Sequence, residues 1–366
     1  MRDIIRRTGP VAVMAAAGLM LAGCELGAKE STQTGYRGTG MEQIVDVSSI
    51  AKAAAIPAEP YPLPPDGGPS AGASYQNLKV LGGLSKERFD HLMAEITQWV
   101  APPEQGCNYC HNPENMASDE VYTKIVARNM LQMTQAINSK WSSHVKETGV
   151  TCYTCHRGNA VPEFKWALAD GTPNPGSIRG NKYGQNTPDP NVGYASLPSD
   201  PFAAYLAGKP QVKVASNSAY PSPDHVVSIK EAEKSYGLMM HVSTALGVNC
   251  TYCHNSQSFR AWNLSRAQRG TAYYGIRMVR DVNDTYISSL AGVFPANRKG
   301  PHGDPYKVNC TTCHQGLAKP LGGQSMLAQA PILRGSAPAA APEGGPAAAT
   351  AVAEAFNKPA AMTAKP

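Results

Sequence analysis

Gly149-Val-Thr-Cys-Tyr-Thr-Cys-His-Arg-Gly158 decides the reading, because it returns near the other end of the chain as Val308-Asn-Cys-Thr-Thr-Cys-His-Gln-Gly316. Each copy is preceded by a second motif, Cys107-Asn-Tyr-Cys-His-Asn112 before the first and Cys250-Thr-Tyr-Cys-His-Asn255 before the second. The two motif types occur in the same order twice. That is the mark of a duplicated unit, and it predicts two halves related by approximate two-fold symmetry. These four pairs take eight of the nine cysteines and leave Cys24 apart.

In all four pairs a histidine follows the second cysteine: Cys107/Cys110/His111, Cys152/Cys155/His156, Cys250/Cys253/His254 and Cys310/Cys313/His314. Two cysteines three positions apart lie on one side of a turn and can add to the two vinyl groups of a haem. The adjacent histidine then reaches over the ring face to bind iron. Two Cys₄ zinc sites or four disulfides are the plain alternatives. Neither explains the invariable histidine, so the motif predicts four covalent haem c groups.

Outward from the motifs, the chain divides by composition. Residues 1–23 have a basic start (Arg2, Arg6, Arg7) and a short apolar run, Val11 to Ala22, which is secretory signal architecture. The run ends Leu21-Ala22-Gly23-Cys24, similar to the lipobox of bacterial lipoproteins, in which the cysteine becomes a diacylated mature N-terminus. Two acyl chains suffice for stable anchoring; the competing reading is an uncleaved apolar anchor with Cys24 incidental. Residues 24–75 are rich in Gly, Pro, Ala and Ser and read as extended chain. Residues 76–163 hold the first two cysteine pairs, 164–225 form a Pro/Gly/Asn-rich connection, and 226–325 hold the other two. The Ala/Pro-rich tail, 334–366, has too little apolar surface to offset its ordering entropy and reads as disordered. A net charge of +6, spread without a Lys/Arg block, argues against a nucleic-acid partner.

A six-coordinate iron needs a further ligand, and Met or His supplies it. Helical spacing from about 86 to 100 aligns Phe89, Leu92, Met93, Ile96 and Val100, with Met93 close before Cys107 and His91 turned away. A second helix, about 120 to 145, aligns Met130, Met133, Ile137, Trp141 and His144. The step of 14 positions from Met130 to His144 spans about 21 Å of helix, enough to serve two different haems. Met130 is assigned to the second, with Met133 as competitor. A third helix opens on the capping-box pattern Ser228-Ile-Lys-Glu231 and runs to Leu246 before Gly247, with Met239, Val242 and Leu246 inward, which favours Met239 over Met240. A fourth segment, about 271 to 286, aligns Tyr274, Met278, Val282 and Tyr286. For the fourth haem, spacing leaves His144 and Met278 open. His91, His225, His241 and His302 read as surface or ordinary hydrogen-bonding residues. Arg128, Arg157, Arg277 and Arg280 are candidates for haem propionates and equally for solvated helix faces.

The chain resembles the tetrahaem cytochrome c subunit of the photosynthetic reaction centre of purple bacteria. The resemblance covers residues 76 to 325 and rests on the four motifs together with Val126-Ala-Arg-Asn-Met-Leu-Gln-Met-Thr-Gln-Ala-Ile-Asn138, Leu238-Met-Met240 and Gly275-Ile-Arg-Met-Val-Arg-Asp281. It implies a mainly α fold with long irregular loops, a multihaem cytochrome c in two pseudo-two-fold-related halves each holding two haems. It implies Met/His ligation at three haems and two histidines at one. Carried onto this chain, Met93, Met130 and Met239 serve the first three haems and His144 the fourth, with Met278 left to packing. It further implies a lipid-modified Cys24 and a place on the periplasmic face of the photosynthetic membrane, against the L and M subunits. The implied function is electron transfer rather than catalysis. A soluble cytochrome c or high-potential iron–sulfur protein would re-reduce the haems, and these would re-reduce the bacteriochlorophyll special pair. The competing reading, a multihaem enzyme, needs an open iron position. The loop from Met93 to Cys107 is one residue longer than the family leads one to expect, and the tail after Arg334 lies outside its common core.

Overall fold

The computed structural model describes residues 27–35, 41–168, 189–208 and 229–335. Cys24 with the signal and lipobox readings, Ser228 of the capping box, His225, and the tail beyond 335 lie outside the described residues. The chain forms β1 (Lys29–Thr34), β2 (Met41–Asp46), α1 (Val47–Ala54), α2 (Lys86–Val100), α3 (Tyr122–Lys140), α4 (Ser142–Val145) and α5 (Cys152–His156). It continues through β3 (Lys165–Trp166), α6 (Ile229–Leu246), α7 (Ala267–Asp281), β4 (Lys307–Val308) and α8 (Cys310–His314). The protein is mainly α, with long irregular connections.

Helix α3 is the axle. Its Leu131 enters one core with Leu92, Trp99, Leu321, Leu327 and Leu333. Met133 and Ile137, on other faces, enter a second with Phe202, Leu206, Leu238, Met278 and Val279. A helix turns about 100° per residue, so residues two apart face nearly opposite ways and one helix can bind two cores. Asn138 ties the last turn down: its Nδ2 donates to the carbonyls of Val150 (2.9 Å) and Leu333 (2.7 Å), and its Oδ1 accepts from Val150 N–H (2.7 Å).

Two expectations change. The helix expected to run from 120 to 145 ends at Lys140; Trp141 leaves helical geometry (φ −108°, ψ 27°) and the separate turn α4 carries His144. The break has a cause in Trp141, whose buried indole donates to Asp281 Oδ2 at 2.9 Å, joined there by Lys140 Nζ at 2.8 Å. The second change lies in 24–75, where the extended chain contains an antiparallel hairpin pairing Lys29 with Asp46 through Thr34 with Met41. Alternation of Ile44 outward with Met41, Gln43 and Val45 inward supplies a period of two. The hairpin grips the second half of the chain: Gln43 Nε2 donates to Gly247 O (3.0 Å), and Thr34 Oγ1 accepts from Asn249 Nδ2 (2.7 Å) and Thr251 Oγ1 (2.8 Å). Asp46 caps α1 by accepting from Ser48 and Ser49 N–H, and Arg157 Nη1 and Gln324 Nε2 cap its last carbonyls.

Candidate haem sites

The four motifs fold as two kinds of turn. Motifs one and three are single 3₁₀ turns, Gly106–Tyr109 and Cys250–Tyr252. Motifs two and four are short α turns, α5 and α8, entered by matching side-chain caps in which Thr154 Oγ1 accepts from Thr151 N–H and Thr312 Oγ1 from Asn309 N–H, both at 2.9 Å. Both leave through a left-handed residue, Arg157 or Gln315, into a glycine of positive φ. Alignment of local sequence therefore becomes alignment of backbone.

The histidines repeat the same pairing. His111 and His254 donate Nδ1–H to the carbonyl five residues on, Met116 (3.0 Å) and Phe259 (2.9 Å). His156 and His314 donate to the carbonyl three residues on, Asn159 and Leu317, both at 2.8 Å. His144 makes the fifth such bond, to Thr271 O at 2.9 Å. A backbone carbonyl can only accept, so each ring carries its proton on Nδ1 and presents Nε2 with a free lone pair. Burial lowers the pKa of His144, His156, His254 and His314, the last to about 4, with His144 beside it adding to the effect. The rings are thus neutral, the form that binds iron.

The cysteines sit in apolar walls, and burial pushes Cys152 and Cys310 up to about 12. A cavity of about 660 Å³ is lined by Met93, Cys107, Cys110 and His111, a size that suits a large organic cofactor. A second is lined by Met130, Cys152, Cys155 and His156, and Cys110 lines it too. Met133 also faces this cavity, but it is built into the core beside Ile137 and Met278. His144 and His314 face each other with ring centroids 6.0 Å apart. Two metal–imidazole bonds of about 2.0 Å each, with the rings behind them, need a gap of that order. Met278 lies 7% exposed in the core.

Met239 is the least enclosed candidate, at 37% exposure. The residues α6 buries most deeply are Leu238, His241 and Ala245; of the expected inner face Val242 packs against the core while Met239 is turned from it and free to meet a group laid against the helix. His91 and His241 also depart from expectation, being 0% and 3% exposed. His91 Nε2 bonds Tyr61 O at 2.8 Å beside Glu95, and His241 packs on Phe202. Sequence reasoning missed Thr271, Gly275 and Asp281 as neighbours of the His144 turn, since nothing local marks a contact across more than a hundred residues. The arginines find partners in the protein: Arg128 with Asp119 (2.8 Å), Arg280 with Tyr205 O (2.9 Å), and Arg277 over the ring of Tyr273.

Among the described residues all eight motif cysteines are free, and no cluster of three or more His, Cys, Asp or Glu converges as a metal cage. The four pairs thus do not converge as Cys₄ zinc sites among the described residues, and the cavities beside the first two pairs are open to a large organic group. Among the described residues no helix is long and apolar enough to cross a membrane.

The family described as photosynthetic reaction centre cytochrome c subunit matches residues 25–334. The chain is similar to proteins of that name from Rubrivivax gelatinosus, 50% identical over 333 residues that cover 90% of each chain. Its likeness to that from Thermochromatium tepidum is 46% over 92% of this chain and 85% of the relative. With the protein of Roseobacter denitrificans it shares 39% over 83% of this chain and 85% of the relative.

Proposed function

The chain belongs to the photosynthetic reaction centre cytochrome c subunit family, and on that premise we propose that it holds four haem c groups in a row and relays electrons to the photo-oxidised special pair. Membership itself carries covalent haem c, a role in photosynthetic electron transport, and attachment to the reaction centre. The proposal adds the number, the ligands, the order and the direction.

The observation that carries it is the shared histidine arrangement. Four Cys-x-x-Cys-His turns each aim an Nε2 away from a backbone acceptor, and His144 aims a fifth at His314. Cys107/Cys110, Cys152/Cys155, Cys250/Cys253 and Cys310/Cys313 would hold the haems covalently. His111, His156, His254 and His314, with Met93, Met130, Met239 and His144, would supply the iron ligands. The haem would supply reversible one-electron chemistry. Two protein ligands available to each iron would leave no substrate position, which favours electron transfer over the multihaem enzyme.

Adjacency gives an order. Cys110 lines both described cavities, so sites one and two are neighbours. Cys155 Sγ and Cys313 Sγ are 2.7 Å apart, which joins sites two and four. Gly316 N–H donates to Ala245 O at 2.8 Å, and Arg266, at the start of α7, donates to Cys253 O, which joins sites four and three. The relay runs one, two, four, three, with two pseudo-symmetric halves meeting between two and four. Cys24, as the lipidated N-terminus, would stand five residues before β1, at most about 18 Å of chain from a hairpin bonded to Gly247, Asn249 and Thr251. That tether turns site three toward the periplasmic membrane surface and the L and M subunits. Site one is left outward for a soluble cytochrome c or high-potential iron–sulfur protein.

Intact-mass measurement of the mature protein tests the assignment. It should return a diacylated Cys24 and four haem additions, and Cys250→Ala with Cys253→Ala should remove one haem only. A native count below four, or clean separation from the reaction centre in mild detergent, contradicts it.

A further inference from the structure

The imidazole of His144 does not stand free; it lies against one face of α7. Its Nδ1 donates to the carbonyl of Thr271 at 2.9 Å. That carbonyl also belongs to the helix ladder, where the N–H of residue 275 points at it. A side chain at 275 would stand at the entrance to the bond. Position 275 is a buried glycine, and a Cβ built there would meet His144 Cε1 at 2.5 Å, Nδ1 at 2.8 Å and Nε2 at 3.1 Å. Real Cβ atoms essentially never approach below 3.0 Å. The left-handed backbone that usually explains a glycine is absent, since residue 275 lies inside regular α-helix. A glycine inside a helix is disfavoured relative to alanine, so this one stands against local propensity.

We propose that Thr271 and Gly275 form a seat for the His144 ring, and that Gly275 is the positioning residue that makes the fourth site a two-histidine site. The inference rests on the reading of His144 as an axial ligand and deepens it. The carbonyl fixes the tautomer and the tilt; the missing side chain lets the ring come close enough to hold the 6.0 Å spacing to His314. With alanine at 275, Cε1 has to retreat from 2.5 Å to an ordinary contact of at least 3.4 Å. The ring then loses the Thr271 carbonyl and the iron together.

The test uses the full-length holoprotein as wild type, Gly275→Ala, Gly270→Ala and His144→Ala. Gly270 lies on the same helix, and a Cβ there meets nothing within 4 Å, so it controls for helix propensity alone. The readouts are the electron paramagnetic resonance signature of a bis-imidazole haem and carbon monoxide binding to the reduced protein. Wild type and Gly270→Ala should show one bis-imidazole haem and bind no carbon monoxide. Gly275→Ala and His144→Ala should both lose that signature and bind one equivalent. If His144→Ala keeps the signature, the ligand reading fails. If His144→Ala loses it while Gly275→Ala keeps it, the ligand reading stands and the seat is overturned. Should Gly275→Ala not fold, the double variant Gly275→Ala with His144→Ala decides: recovery of holoprotein supports the clash with the ring, and continued failure overturns it.

Discussion

Asn138 carries more of the fold than its chemistry suggests. One amide satisfies both backbone groups of Val150, at the entry to the second haem motif, and the carbonyl of Leu333, whose side chain is 0% exposed. Asn138→Ala leaves these groups without partners, and a buried backbone group left unpaired costs about 1–3 kcal/mol. The variant should be less stable by roughly 2–4 kcal/mol in denaturant titration of the holoprotein, while haem count stays at four. The four Cys-x-x-Cys-His motifs stand out in the sequence because spacing along the chain is itself what the proposed covalent attachment requires. Met93 and Met130 were legible as members of apolar helical stripes, and each lines a cavity with the cysteines expected for it. Asn138, Gly275 and the buried pair of His91 and Glu95 were not, because their partners come from distant segments. A polar residue with no periodic signal looks the same whether its partner is water or a backbone 195 residues away.

At the scale of elements, the instructive case is the stretch from Glu120 to Val145. Its apolar stripe is continuous, so periodicity gave one helix, yet the helix stops at Lys140. The stop depends on Asp281, at the C-terminus of α7, which takes the Trp141 indole and the Lys140 ammonium on one oxygen. Burial opposes ionisation of Asp281, but the bonds from Lys140 and Trp141 outweigh it and hold the carboxyl below its usual range. A depressed carboxylate contributes stability that is present above its ordinary pKa, about 3.9, and lost as pH falls through its lowered folded value. Asp281→Asn should therefore be less stable than wild type at pH 7, and the gap should narrow as pH falls below 4. A gap that stays constant across that range argues against an ionised Asp281. The same variant loosens the turn carrying His144, so the bis-imidazole signal should broaden with fold intact. The hairpin of β1 and β2 was missed for a different reason: its strands are polar and exposed on one side, and turn-rich composition around them masked a short period of two.

At the scale of the whole molecule, the proposed relay is a row of four sites in the order one, two, four, three, strapped at one end by the N-terminal hairpin. The internal repeat was visible in the motifs, and its backbone counterpart is the pair of matched turns and matched histidine bonds. The order along the row was not visible, because it depends on which turns abut, and Cys155 against Cys313 is a contact between residues 158 apart. The proposed direction rests on the strap: the hairpin lies on the segment that enters motif three, so a lipid-anchored Cys24 would present site three to the membrane and leave site one for a soluble donor.

Flash-induced absorbance in native membranes tests this account most directly. After a single actinic flash, a haem of this subunit should oxidise as the special pair is re-reduced, with matching rates. In membranes carrying Cys250→Ala with Cys253→Ala, lacking only the site-three haem, that fast phase should fall by at least tenfold while the other haems remain spectroscopically present. Special-pair recovery at the wild-type rate in that variant, or haems that stay reduced while the pair recovers, would contradict the proposed relay.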